Sequence, residues 1–551
     1  MIYLGRDVAS RTWLWGSPEN AYLLLAPPRR GKGVSVIIPN LLDWPGPLVA
    51  TSTKDDLIVH TACALRKERP VYVFDPTGFS EWPDPVGWDP VAGCEDPQVA
   101  IYRARALNAA SGSSQGIQHA DYFQSYNEAI HRCYLHAAAV SGRDIATVRQ
   151  WVNRAESHDA IRCLRESPAA PEWADDLEAI TGMHDQAVSN VFSGARRAYD
   201  CHWQKLLFEA GYAGVDWPVE GGGLGASPVE QLIFKEECER AGAPYVGVNF
   251  VGLLHAGPTI IAEGTPAQKE RYLPGILRGQ EVWCQGFSEP DAGSDLASLR
   301  TRAVRDGDDY VVTGSKIWTS HAEVADFCEL LVRTGEERNR GITWLIMPMG
   351  APGIEIRPLR TIAGTTEFAE LFLNEVRVPV TNRVGDENDG WRVTMVTLSF
   401  ERGTAFVGEL LECMRLLGEL ARVAGRLGAF DDAGVARRFG HLVAAFDALW
   451  ALTKRNVSEA AQTGIPGIGG SVFKLSFTEH AQALGDLAME VLDRAALSAD
   501  PLDGTDGAPL GNAEQLAAWF KSISLTIAAG TSQVQRNIVA ERILGLPKAR
   551  R

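Results

Sequence analysis

The spacing of apolar and polar positions changes character several times along the 551 residues. Near the start, short apolar runs at residues 21–25, 47–50 and 70–74 each end in proline, polar or turn residues, a pattern that predicts buried parallel strands. Val188–Gly211 repeats its apolar residues at helical spacing and predicts one amphipathic helix. Val229–Arg240 and Pro266–Leu277 have the same period, with Ser227-Pro228 and Thr265-Pro266 placed as N-cap and first-turn residues. Between Val282 and Val384 the period shortens to alternating strands such as Tyr310–Thr313, Gly341–Met347 and Ala369–Val378, separated by Gly, Asp and Asn turns. Long helical stretches then return at Trp391–Leu411, Ala436–Ala460, Val472–Ala496 and Ala513–Leu546, lengths that suit a four-helix bundle.

Composition narrows this picture. A hydrophobic content of 45% over this length can bury several cores, so three or four domains are expected. The net charge of −16 argues against a general nucleic-acid or membrane-surface binder. Nine cysteines, an odd number with no Cys-x-x-Cys pair, suggest neither a disulfide framework nor a zinc site, and no metal is expected. No apolar run approaches the roughly 20 residues that span a bilayer, and the first residues lack a basic-then-apolar leader pattern. A reducing cytoplasm is the expected location.

The first candidate chemistry is Ala26-Pro-Pro-Arg-Arg-Gly-Lys-Gly33, which follows one apolar run and precedes Val34-Ser-Val-Ile-Ile. Strand, turn and helix start in that order form the setting of a phosphate-binding loop, with Lys32 as the candidate phosphate contact. Ala26 replaces the first glycine of such a loop, and Gly33 replaces the hydroxyl residue that would hold Mg²⁺. With Ile37–Leu42, Ser52-Thr-Lys54 and Val73-Phe-Asp-Pro-Thr-Gly78, this stretch resembles the conjugative coupling ATPases of type IV secretion systems, and Asp121-Tyr-Phe and Ser141–Trp151 extend the likeness to about Tyr199. The resemblance implies a P-loop-like α/β fragment over residues 1–200. It lacks the downstream acidic strand end that the family uses for Mg²⁺ and water, so a structural remnant is expected rather than an active ATPase.

The second is a series of four motifs: Gln285-Gly-Phe-Ser-Glu-Pro-Asp-Ala-Gly-Ser-Asp295, Gly314-Ser-Lys-Ile-Trp-Thr-Ser320, Gly385–Trp391 and Ala529-Gly-Thr-Ser-Gln-Val-Gln-Arg536 with its continuation to Arg542. In this order they resemble the acyl-CoA dehydrogenase family over nearly all of residues 202–551. The resemblance implies an N-terminal helical domain at 201–281 lacking its first helix, a β-barrel-like middle domain at 282–388 and a C-terminal four-helix bundle at 389–551. It also implies FAD, an acyl-CoA substrate, an electron-transferring flavoprotein as electron acceptor, and a homo- or hetero-oligomer, commonly a tetramer.

Carried over residue by residue, the resemblance sets the flavin against Gln285, Phe287 and Ser288 on one strand end and Trp318, Thr319 and Ser320 on another. Ser294 would contact the acyl-CoA, and Thr531 and Gln533 the dinucleotide. Desaturation of a thioester needs a base for the α proton, a hydride acceptor and a clamp for the thioester oxygen. Many members carry Glu where this chain has Ala529, which cannot take a proton but keeps the backbone N–H that would serve the clamp. A minority pattern supplies the base from the first bundle helix. Phe400-Glu401-Arg402 occupies that place, so Glu401 is the expected base and Arg402 a substrate neighbour. A solvated Glu401 paired with Arg402 is the bland alternative. The competing readings of the whole chain are an inactive fusion product and a remnant of a DNA-transfer ATPase.

Overall fold

The computed structural model describes residues 2–6, 13–16, 38–43, 58–67, 70, 71, 73, 89–110, 120–154, 158–183, 185–241, 243, 247–363, 365–400, 406–463, 469–493 and 512–547. The chain divides into two compact units, Met1–Asp89 and Pro90–Arg551.

In the first unit, β1 (Ile2–Arg6) pairs antiparallel with β2 (Trp13–Gly16). Short helices follow at α1 (Ile38–Asp43) and α2 (Cys63–Leu65). The expected phosphate loop, with Lys32, and the strands at 21–25 and 47–50 lie outside the described residues. Pro70, Val71 and Val73 are described but belong to no strand, although Val73 is buried as a strand residue would be.

The second unit opens with helices α3 (Pro97–Ala110), α4 (Ala120–Val140), α5 (Ile145–Arg154), α6 (His158–Glu166) and α7 (Trp173–Thr181). Their apolar faces share one core that includes Ile130, Tyr134, Val148, Leu164, Leu177 and Phe192. Phe192 belongs to α8 (Asp185–Glu209), the continuous helix expected from the period of residues 188–211. The boundary expected near residue 200 falls inside this helix, which has no linker and no break.

Three further helices complete the helical layer: α9 (Pro228–Arg240), α10 (Gly257–Glu263) and α11 (Pro266–Leu277). Ser227 and Thr265 each close a capping box, with Glu230 and Gln268 reaching back to the cap N–H, and this fixes both helix starts where the sequence predicts them. The sheet domain comprises β3 (Trp283–Gly286), β4 (Arg302–Asp306), β5 (Asp309–Ser320), β6 (Phe327–Arg333), β7 (Ile342–Pro348), β8 (Ile354–Leu359), β9 (Phe368–Pro379) and β10 (Arg383–Val384). They form one eight-stranded sheet in the order β10-β7-β6-β4-β5-β9-β8, with β3 pairing parallel to β6.

The C-terminal helices are α12 (Gly390–Phe400), α13 (Val407–Arg426), α14 (Ala433–Thr463), α15 (Gly469–Leu492), α16 (Asn512–Leu525) and α17 (Ser532–Ile538). Leucines and phenylalanines of α13, α14 and α15, among them Leu420, Phe446 and Phe477, build their core. Two expected helices are divided. The stretch expected as Trp391–Leu411 restarts after Phe406, and the one expected as Ala513–Leu546 ends at Leu525 and restarts at Ser532. In the second case the break falls at Ala529 and Gly530, whose positive φ of 51° and 85° no right-handed helix accommodates. Among the described residues, no helix is long and apolar enough to cross a membrane.

Candidate functional site

The strand ends named from sequence are neighbours in the sheet domain. Ile317 N–H donates to Ser288 C=O at 2.9 Å, which ties the residues after β3 to the end of β5. Beneath them Lys316, fully buried, donates to Phe287 C=O at 3.1 Å and to Glu289 Oε1 at 2.9 Å. Glu289 also accepts from the N–H groups of Thr301 and Arg300, at 2.8 and 2.6 Å. Burial pushes the Glu289 carboxyl up, but Lys316 and these donors outweigh it, so its pKa lies below the usual value. The Ser-Glu-Pro motif is thus locked from behind by a buried ion pair whose four hydrogen bonds are all made.

On the outer side, β5 carries a bulge. Its register against β9 slips between Lys316, opposite Leu371, and Thr319, opposite Ala369. The extra residue lies at Ile317-Trp318, and Trp318 takes φ 62°, a left-handed conformation that is costly for a bulky side chain. The bulge turns the indole outward, so Trp318 is 58% exposed while Trp283 and Trp344 of the same domain are fully buried. Thr319 points inward, and its buried hydroxyl has no hydrogen-bond partner among the described residues. Gln285 is only half-buried, and its Nε2 donates to Glu329 Oε1 at 2.8 Å and lies 3.3 Å from His255 Nδ1. Gly286 has no room for a side chain, since a Cβ there would stand 2.8 Å from both Cys328 Sγ and Leu330.

A flat heteroaromatic ring with polar edges fits this set. An exposed indole offers a face, and the Ser288 and Ser320 hydroxyls make no hydrogen bond among the described residues. Ser294 is exposed in the turn before Asp295, whose carboxylate pairs with Arg338.

The C-terminal motif forms a second cluster at the end of the bundle. Thr531 caps α17 by accepting from Val534 N–H at 3.2 Å, and Gln533 is exposed on its first turn. Gln535 Nε2 donates to Ala529 C=O at 3.1 Å, and Lys474 Nζ on α15 donates to Gly530 C=O at 2.7 Å. The Ala529 N–H, the expected clamp donor, makes no hydrogen bond among the described residues. The hydrogen bonds of this cluster stay within the bundle. Glu401 and Arg402, the expected base and its neighbour, lie outside the described residues. Lys316, Lys474, Gln535 and the Gln285–Glu329–His255 contacts were not read from sequence. Of these, Lys316, Gln535 and Gln285 lie inside named motifs and so carried a signal there, whereas Lys474, Glu329 and His255 did not.

A helical layer, a mixed sheet and a helical bundle follow one another, with an aromatic and hydroxyls displayed where two strand ends meet, and the chains similar in sequence and fold are oxidoreductases. Comparison with known proteins gives the family. Residues 186–280, 284–376 and 388–544 match the acyl-CoA dehydrogenase N-terminal, middle and C-terminal domains, and residues 6–87 match the type IV secretory system conjugative DNA transfer family. Acyl-CoA dehydrogenase IpdE1 of Mycobacterium tuberculosis is 38% identical over 382 residues, covering 69% of this chain and 95% of that protein. Acyl-CoA dehydrogenase FadE26 of the same organism is 40% identical over 398 residues, covering 69% and 94%. Among solved structures, the Tcur3481-Tcur3483 steroid ACAD is 34% identical with a TM-score of 0.58, covering 63% of this chain and 89% of that one. The ChsE4-ChsE5 complex from Mycobacterium tuberculosis is 35% identical with a TM-score of 0.56, covering 73% and 98%. The chain belongs to the acyl-CoA dehydrogenase family, joined to an N-terminal segment of conjugative-transfer type.

Proposed function

We propose that the chain desaturates an acyl-CoA thioester between its α and β carbons. Glu401, which follows Phe400 in the sequence, takes the α proton, and the Ala529 N–H donates to the thioester oxygen as negative charge gathers there. FAD, when bound against Gln285, Phe287, Ser288 and Trp318–Ser320, supplies the hydride acceptor. Thr531 and Gln533 contact its dinucleotide, and Ser294 and Arg402 the acyl-CoA. The indole of Trp318 covers the ring and keeps water away.

The observation that carries this reading is the bulge at Ile317-Trp318, which holds a tryptophan in a strained conformation in order to display it beside uncommitted hydroxyls. Strain of this kind costs about 1–3 kcal/mol and clusters at functional sites. Sequence similarity to a steroid acyl-CoA dehydrogenase supports including a polycyclic side-chain thioester among the substrates tested. Similarity to a two-component complex supports a hetero-oligomer, and the family supports an electron-transferring flavoprotein as the acceptor.

The test of the chemistry is Glu401→Gln. The variant is expected to keep its yellow colour while its rate of flavin reduction by acyl-CoA falls about 10²–10⁴-fold, the range a general base supplies. An undiminished rate would remove Glu401 from the mechanism.

A further inference from the structure

The turn that carries Ala529 is held by a lysine from another helix. Ala529 and Gly530 both have positive φ, a conformation that a free alanine seldom occupies. Before the turn, Ala528 N–H donates to Ser524 C=O at 2.9 Å, and after it Ser532 N–H donates to Thr526 C=O at 2.9 Å. Between these anchors, the Ala529 and Gly530 carbonyls are drawn back toward the bundle by Gln535 and Lys474. Lys474 lies on α15, 56 residues from Gly530, and is only 4% exposed. A peptide plane is rigid, so tethering both carbonyls fixes the two planes that follow Ala529. With the helix end before it also anchored, the plane bearing the Ala529 N–H has little freedom left. That N–H remains uncommitted among the described residues.

A buried lysine spent on one carbonyl is an unusual investment. Its burial pulls the pKa down to about 8, with Glu479 acting in the opposite direction, so keeping the ammonium in place costs the fold free energy. A neutral side chain would fill the space without that cost.

We infer that Lys474 is a positioning residue, which fixes the left-handed Ala529-Gly530 turn through the Gly530 carbonyl and so aims the Ala529 N–H at the thioester oxygen. The inference rests on the reading of Ala529 as the clamp donor. An oxyanion donor is effective only when it is organised before the charge develops, and a misplacement of about 1 Å can cost about a hundredfold in rate.

The test uses the full-length, FAD-loaded protein with Lys474→Met and Lys474→Arg. The readouts are amide hydrogen exchange over residues 526–532 and steady-state kinetics with whichever of octanoyl-CoA and a steroid side-chain CoA thioester reduces the parent chain. Lys474→Met is expected to speed exchange at Ala528 and Ser532 by about tenfold or more, and to lower kcat by about 10–100-fold with KM changed by less than about threefold. Lys474→Arg, which still donates to the carbonyl, is expected to recover most of the lost kcat. Parent-like exchange in folded Lys474→Met, or a change confined to KM, would overturn the inference. If Lys474→Met does not fold, Lys474→Arg decides: a folded arginine variant with near-parent kcat and exchange supports the tether, and one with fast exchange and low kcat overturns it. If neither thioester reduces the parent chain, the proposed activity fails, and exchange alone still decides whether Lys474 holds the turn.

Discussion

Trp318, Lys316 and Glu289 show how single residues build the surface proposed to face the flavin. The motif around Trp318 was legible in sequence, but its exposure was not, because the bulge arises from the register of β5 against β9 and no local spacing reports it. Lys316 lay within the same motif, yet a lysine on a strand gives no sign that it points inward. The structure buries it completely against Glu289. Removing one member of such a pair leaves an uncompensated buried charge, so Lys316→Met is expected to destabilise the chain by about 3–5 kcal/mol. Urea denaturation of parent and variant at neutral pH measures this, and a loss below about 1 kcal/mol would show that the pair does not lock the motif. Glu401 remains a reading of sequence alone, supported by the absence of a carboxylate at Ala529.

Among the elements, α8 was the most legible and the most consequential. Its period predicted one helix through the region where the two resemblances meet, and the helix runs unbroken over Asp185–Glu209. The match to the dehydrogenase N-terminal domain begins at residue 186, within that helix. What spacing could not show is how the part of it before Cys201 grips the rest. Arg197, buried, pairs with Asp326 at 2.9 Å and also donates to Val324 C=O, while Asp326 accepts from Val282 N–H at 2.8 Å. Asp200 accepts from Val248 N–H at 2.9 Å, and Arg149 of α5 lies 3.6 Å from it. The part of α8 before Cys201 therefore joins the preceding helices to the start of the sheet domain. A chain beginning at Cys201 loses Arg197 and Asp200 together with the apolar face of that part of the helix. It should melt more than about 5 °C below the full chain, whereas one beginning at Pro90 keeps these contacts and should not show that loss. Equal melting for the Cys201 chain would show that the upstream helix contributes nothing. The division of Ala513–Leu546 was missed for a different reason: Ala-Gly inside an apolar repeat reads as helix, and the left-handed pair is imposed by Gln535 and by Lys474, distant in sequence.

At the scale of the whole molecule, two buried histidines contribute to the response to acid. His131, against Tyr199 in the helices before the sheet, and His321, after the end of β5, are both held neutral, chiefly by burial, with Arg196 adding to the effect at His321. Their pKa values are lowered from 6.5 to about 3. In the unfolded chain these rings bind protons below about pH 6.5, and in the folded chain they do not until about pH 3. The unfolded state is therefore favoured as pH falls through that window, and stability drops. Buried carboxyls such as Asp200 and Glu409, whose pKa values burial raises, act in the opposite sense, so the informative quantity is a difference between two chains. His131→Leu should lose less stability than the parent between about pH 7 and pH 5 in urea denaturation, and identical slopes would contradict the neutral burial of this ring.

At the same scale, the order of helices, sheet and bundle after residue 201 was legible, because each part has its own period, whereas helices α3–α7 before it were not read from sequence. The proposed activity rests on that larger part of the chain and on the flavin it is proposed to hold. Anaerobic titration of the purified, FAD-loaded protein with acyl-CoA thioesters, followed by visible absorbance, tests this most directly. At least one thioester is expected to bleach the yellow flavin and to yield the corresponding α,β-unsaturated product. A folded, yellow protein that no thioester of the panel bleaches would contradict it.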